Sequence, residues 1–193
     1  VALLPGSAEA APTLSWTVGD PAGLASGAVE GTRGVARCSH PMGPFVDPTT
    51  NDVVVAMHTS RTIARISPVG RLNTFAGQAF VTPAAGAEAD GLTLDATFMG
   101  CICVTVDTAG VTYCAGYLAH NVRQITAGGT VTTYAGSTAN TLGYGEHVSD
   151  PLQALYTNPG GVVTLGTKLF IAESATAGRV RQIERATGAT SNV

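Results

Sequence analysis

The chain of 193 residues is 45% hydrophobic and only 12% Asp, Glu, Lys and Arg, about half the charged share of an average soluble domain. With a formal net charge of −3, Lys168 as its one lysine and its arginines scattered, it lacks the clustered cations that a nucleic-acid-binding face needs. No apolar run reaches the roughly 18 residues of a membrane-spanning helix, and 24 Gly and 10 Pro among abundant Thr and Val exclude a long-helix architecture.

In chain order, residues 1–13 (VALLPGSAEAAPT) read as a linker or processed segment, without the charged start of a whole signal peptide. SWTVG, with Trp16 as a packing residue and Thr17, reads as the end of a partial copy. Three longer copies follow, over Phe45–Gly77, Val104–Gly136 and Val163 to the C-terminus. The Ile closing each third run is Ile66, Ile125 and Ile183, giving spacings of 59 and 58. A second anchor, Thr74, Thr133 and Thr190, gives the same period of 57–59 residues. The second copy offers four β-type runs, Cys101–Asp107, Val111–Gly116, Asn121–Ile125 and Thr130–Ala135, separated by turn residues. Four antiparallel strands recurring in tandem predict an all-β fold of β-propeller blades over residues 14–193, with repeats ending near 77, 136 and 193. Each blade is built to be covered on both faces, so three blades predict a part of a larger or assembled propeller, completed by further blades in the same chain or by self-association.

The motifs of the copies can be laid side by side. The second carries ADG (Ala89–Gly91), ATF (Ala96–Phe98), VTVD (Val104–Asp107), TYCAG (Thr112–Gly116), AHNVRQI (Ala119–Ile125) and TVTTYAG (Thr130–Gly136). The third carries NPGG (Asn158–Gly161), LFIAE (Leu169–Glu173) and RVRQI (Arg179–Ile183). The first keeps HPMG (His40–Gly43), VVVAM (Val53–Met57) and TIARI (Thr62–Ile66). In register, these motifs resemble the longer-repeat branch of the NHL-repeat propellers. The resemblance implies fold more specifically than function.

Propeller topology sorts the loops by face. DTAG, TAGG, SPVG and ERATG are tight bottom turns, whereas connections of about 20 residues, Gln78–Gly100 and Ser137–Pro159, are assigned to the top. The four histidines (His40, His58, His120 and His147) and the acids Asp20, Glu30, Glu88, Asp90, Asp95, Glu146, Asp150 and Glu173 fall there too. Candidate binding residues are therefore His120, Asp90, Glu146 and His147. Resemblance to propeller lyases and lactonases would imply Zn²⁺ or Ca²⁺ held at the top of the channel by His and carboxylates. No metal-ligand spacing or nucleophile elbow is present, so no cofactor and no catalytic residue is assigned. Arg123 and Arg181, equivalent in successive copies, are expected to bind carbonyls or carboxylates between blades. Asp90 and Gly91 are expected to make turn bonds.

Cys38, Cys101, Cys103 and Cys114 permit two disulfides. A symmetric DTAG hairpin would place Cys103 opposite Cys114, leaving Cys38 and Cys101 near the starts of first strands in adjacent blades. Bonding would imply an oxidising compartment. The expectation is a non-catalytic extracellular or surface scaffold with protein or glycan partners. A metal-dependent lyase or hydrolase is the alternative.

Overall fold

In the computed structural model, residues 18–19, 26–83, 88–146, 149–174 and 178–193 are described. Trp16, Thr17, Asp20 and His147 lie outside them. The described residues form three antiparallel sheets and no α-helix. The first blade contains β1 (Gly31–Thr32), β2 (Pro41–Val46), β3 (Val53–Met57), β4 (Thr62–Ile66) and β5 (Arg71–Ala76), ordered β1-β5-β4-β3-β2. The second repeats this order with β6 (Gly91–Leu92), β7 (Cys101–Val106), β8 (Thr112–Gly116), β9 (Asn121–Ile125) and β10 (Thr130–Gly136). In the third, β11 (Pro159–Leu165), β12 (Lys168–Glu173), β13 (Arg179–Glu184) and β14 (Thr190–Asn192) pair in chain order. The fold is thus three consecutive β-propeller blades, and the four strands expected in the second copy match β7–β10 to within a residue.

Blade packing follows from alternation along the strands. Val54, Ala56 and Ile63 of the first blade meet Val104, Val106, Cys114 and Ile125 of the second. Tyr113, Ala115 and Val122 of the second meet Val162, Leu169, Ile171 and Ile183 of the third. An Ala-x-aromatic segment enters each interface: Ala96 and Phe98 in one, Ala154 and Tyr156 in the other, all fully buried. Each aromatic ring contributes roughly 1.5–3 kcal/mol of burial. The rings lie on the glycines that end the preceding outer strands, since a Cβ on Gly77 would stand 2.8 Å from Phe98 and one on Gly136 would stand 2.9 Å from Tyr156. In the first blade the segment reads Ala36-Arg37-Cys38. Cys38 occupies the aromatic position, near Gly19.

Four expectations change on the structure. Described parts of the long connections lie along the sheets instead of standing off the top. Residues 91–92 descend the outer edge as β6, paired with Thr130 and Val131, and Ala96–Phe98 then return between blades. Asp90 is consequently an edge residue: its carboxylate accepts the Thr133 N–H (3.1 Å) rather than closing a turn. Glu146 does the same for the Asn192 N–H (3.0 Å), and Glu30 for that of Thr74 (2.8 Å). A carboxylate before the missing strand partner supplies the acceptor that the outer strand lacks. These bonds also correct the repeat register. Arg181 pairs with Asn192 where Arg123 pairs with Thr133, so Asn192, not Thr190, is the equivalent of Thr133.

The disulfide joins Cys101 to Cys114, with Cα atoms 5.8 Å apart, leaving Cys38 and Cys103 free. The expected Cys103–Cys114 pair fails because the hairpin loop has three residues. Asp107 N–H bonds to Val111 O, and Gly110 adopts a left-handed φ of +78°. Cys114 therefore faces Val104, and a bulge between Cys101 and Cys103 turns these two to opposite blade faces. Gly110 in this conformation adds the odd residue.

The two equivalent arginines anchor the lead-in segments as expected, although each to its own blade. Arg123 is fully buried and bonds Thr97 O (3.0 Å) and Ala89 O (3.1 Å), with ion pairs to Glu88 (2.9 Å) and Asp90 (2.7 Å). Arg181, equally buried, bonds Leu155 O (2.6 Å) and Gly145 O (2.9 Å) and stacks on Tyr156 (4.5 Å).

Candidate functional site

One irregularity is repeated at the start of the first long strand of each blade. The innermost strands β2, β7 and β11 slip register between Met42 and Phe45, between Cys101 and Cys103, and between Pro159 and Gly161. A bulge frees one residue from the ladder and re-aims it; here Ile102 and Gly160 are such residues. Just above, the carbonyls of His40, Gly100 and Asn158 accept the N–H groups of His58 (3.1 Å), Tyr117 (3.0 Å) and Ser174 (2.9 Å). The residue after each second strand is thereby held at a matching point in each blade.

Two latches join the blades at this level. Arg61 donates to Met99 O (3.0 Å), and the equivalent His120 accepts the Asn158 N–H at Nδ1 (3.2 Å). Both residues have positive φ, 60° and 54°. Burial lowers the His120 pKa below its ordinary 6.5. His58 is lowered as well, chiefly by burial and then by His40 and Arg61; its ring meets His40 edge-on at 5.4 Å.

Between the second and third blades lies a cleft of about 510 Å³, lined by Ile102, Tyr117, Gly160, Gly161, Ala172, Glu173 and Ser174. The two glycines let a ligand approach the backbone of β11. Tyr117 offers a ring and Ser174 a hydroxyl. Glu173 is 5% exposed. One carboxylate oxygen accepts the Thr157 N–H (2.7 Å), while the other, also buried, has no hydrogen-bond partner. In the second blade Glu88 plays the corresponding part with both oxygens engaged, by Met99 N–H (2.6 Å) and the Asn121 amide (2.8 Å). Arg179 replaces Asn121 in the third blade and lies over Tyr144 (4.5 Å), which leaves Glu173 half satisfied.

Of the candidate binding residues, His120 stands behind the cleft on Asn158, whereas Asp90 and Glu146 are engaged at the outer edges. His147 lies outside the described residues. In the sequence Glu173 is one of many top-face acids. Ile102, Tyr117, Gly160, Gly161 and Ser174 carry no ligand motif; their signal is position, at the start of first strands and after second strands. Among the described residues, no group of three or more His, Cys, Asp and Glu is arranged to hold a metal ion. Likewise no helix is long and apolar enough to cross a membrane.

No family profile matches the sequence, and no curated protein matches it. Solved structures do. A protein of unknown function from Bacteroides thetaiotaomicron is 21% identical, with a TM-score of 0.61 over 74% of this chain and 34% of its own. An auxiliary nutrient binding protein from the same organism is 19% identical, with a TM-score of 0.57 over 76% and 35%. A gluconolactonase from Xanthomonas campestris is 8% identical, with a TM-score of 0.55 over 81% and 48%. The chain thus spans a third to a half of these structures. The likeness shows the β-propeller fold, on which both binding proteins and enzymes are built.

Proposed function

We propose that this chain is a non-catalytic binding protein of the NHL-repeat type, acting outside the cell or at its surface and taking a protein or glycan ligand at the upper cleft. The cleft between the second and third blades carries the reading. It combines an aromatic ring, two half-buried glycine backbones, a hydroxyl and a carboxylate with one oxygen unengaged. Few polar groups set among apolar walls is the ordinary composition of a recognition site. Binding shifts from the long connections, whose described parts lie along the sheets, to the bulged ends of the inner strands. The Cys101–Cys114 bond supports an oxidising compartment.

Hydrogen exchange against a panel of oligosaccharides and peptides tests the reading. Protection is expected around residues 101–102, 117, 160–161 and 172–174. Tyr117→Ala should weaken binding about tenfold, or about 1.4 kcal/mol. Protection confined to the bottom turns 108–110 and 126–129, or an unchanged affinity in the variant, would overturn it.

A further inference from the structure

We infer that the cleft between the second and third blades takes its ligand by a primary ammonium group, received by the unengaged oxygen of Glu173. This rests on the binding reading of the cleft and names the chemistry of what binds there.

Two buried glutamates do the same task in successive blades, and only one is fully satisfied. Met99, following Phe98, donates its N–H to Glu88 (2.6 Å), and Thr157, following Tyr156, donates to Glu173 (2.7 Å). The two carboxyl groups thus receive equivalent N–H groups, although Glu88 comes from the connection before β6 and Glu173 from the end of β12. Their second oxygens differ. That of Glu88 meets two nitrogen donors, the Asn121 amide (2.8 Å) and the Arg123 guanidinium (2.9 Å). That of Glu173 is buried and meets no donor. By strand register the corresponding third-blade residues are Arg179 and Arg181, and both are engaged elsewhere. Arg179 lies over Tyr144, while Arg181 donates to Leu155 O and Gly145 O.

A carboxylate oxygen withdrawn from water retains an unmet demand for a donor, stronger than that of a neutral acceptor. Glu173 is 5% exposed, so this chain already encloses it, and it forms part of the cleft wall. Charge and size select the donor. Among the described residues Glu173 has no ion-pair partner, where Glu88 has Arg123. A cation is therefore the complement. Because the oxygen is itself covered, a compact cation reaches it more readily than a planar one, which favours an ammonium over a guanidinium. The rest of the lining suits the same group. Tyr117 supplies a ring whose face attracts cations, and the Ser174 hydroxyl can accept a second ammonium hydrogen. Gly160 and Gly161 let the carrier of the amine lie close to the backbone.

An amino sugar and a lysine side chain both carry this group, and two pairs of probes distinguish them. Calorimetry with hydrogen exchange compares a glucosamine tetramer and an end-blocked Gly-Lys-Gly peptide, each against its N-acetylated form. The titrations run at about pH 6, below the pKa values of amino groups. At least one amine should bind at least about tenfold more tightly than its acetylated form, with protection at residues 102, 117, 160–161 and 172–174. Which pair shows the difference names the source. Glu173→Gln should abolish the preference, because the Gln oxygen still accepts the Thr157 N–H while its amide sets a donor where the ammonium would sit. An unchanged urea midpoint in that variant separates lost recognition from lost folding. Should the variant fold poorly, the amine-to-acetyl ratio of the unaltered protein decides alone. Equal affinities with the cleft protected by both forms would overturn the ammonium and leave the binding reading standing. A preference that survives Glu173→Gln would overturn it too, and an absence of cleft protection by every probe would overturn both readings.

Discussion

His120 holds the second blade to the third through a bond that only its neutral ring makes, because Nδ1 must accept the Asn158 N–H. Burial lowers its folded pKa, so the unfolded chain binds more protons as pH falls below about 6.5. The stabilisation is complete above the unfolded pKa and is lost as pH drops through the folded one. His58 acts in the same direction. The urea midpoint should therefore fall between about pH 7.5 and pH 5, and His120→Asn should flatten part of that dependence. A pH-independent midpoint, or an unaltered slope in the variant, would remove the latch. The place of His120 at the head of its strand was legible in AHNVRQI, but its partner 38 residues away was not. The arginines behaved otherwise: their repetition announced an anchoring role, and burial against carbonyls supplied it. Glu173 was hidden among other top-face acids because its distinction is a missing partner, which follows from Arg179 standing where the second blade has Asn121.

At the scale of elements, the strands announced themselves by β-branched runs between turn residues, and each blade kept them. The two-residue strands β1 and β6 did not, since Gly-Thr and Gly-Leu are too short to make a β-type run. They are fixed by partners about 40 residues downstream. The cysteine pairing departs from a symmetric hairpin for an equally local reason, one left-handed glycine, Gly110. Glycines at blade junctions matter for space as well as for φ. Gly136 has φ +88°, and a Cβ there would lie 2.7 Å from His120 O and 2.9 Å from Tyr156. Gly34 has nearly the same φ, +87°, with nothing within 4 Å. Gly34→Ala should cost about 1–2 kcal/mol from backbone strain alone. Gly136→Ala should cost about 3 kcal/mol or more, since overpacking adds to that strain. Chemical denaturation distinguishes them, and equal losses would show that the ring does not press on the glycine.

The arc of blades was legible as a whole because a period of nearly sixty residues is a property of the entire chain. The use made of its long connections was not, since length alone does not reveal whether a loop reaches into solvent or lies along a sheet. Here two-residue stretches, Gly31–Thr32 and Gly91–Leu92, pair with the outer strands β5 and β10, which would otherwise present a free row of backbone donors. Such edges are where one β-protein templates another into fibrils. Glu30, Asp90 and Glu146 occupy the N–H groups of Thr74, Thr133 and Asn192. A low-charge surface has little mutual repulsion to keep molecules apart, so colloidal persistence falls on these three carboxylates. Under agitation, a Glu30→Ala, Asp90→Ala double variant should form thioflavin-positive aggregate with a shorter lag than the unaltered protein, and equal lags would refute this. Three acids at the outer edges of the blades would then set how long the protein survives at high concentration.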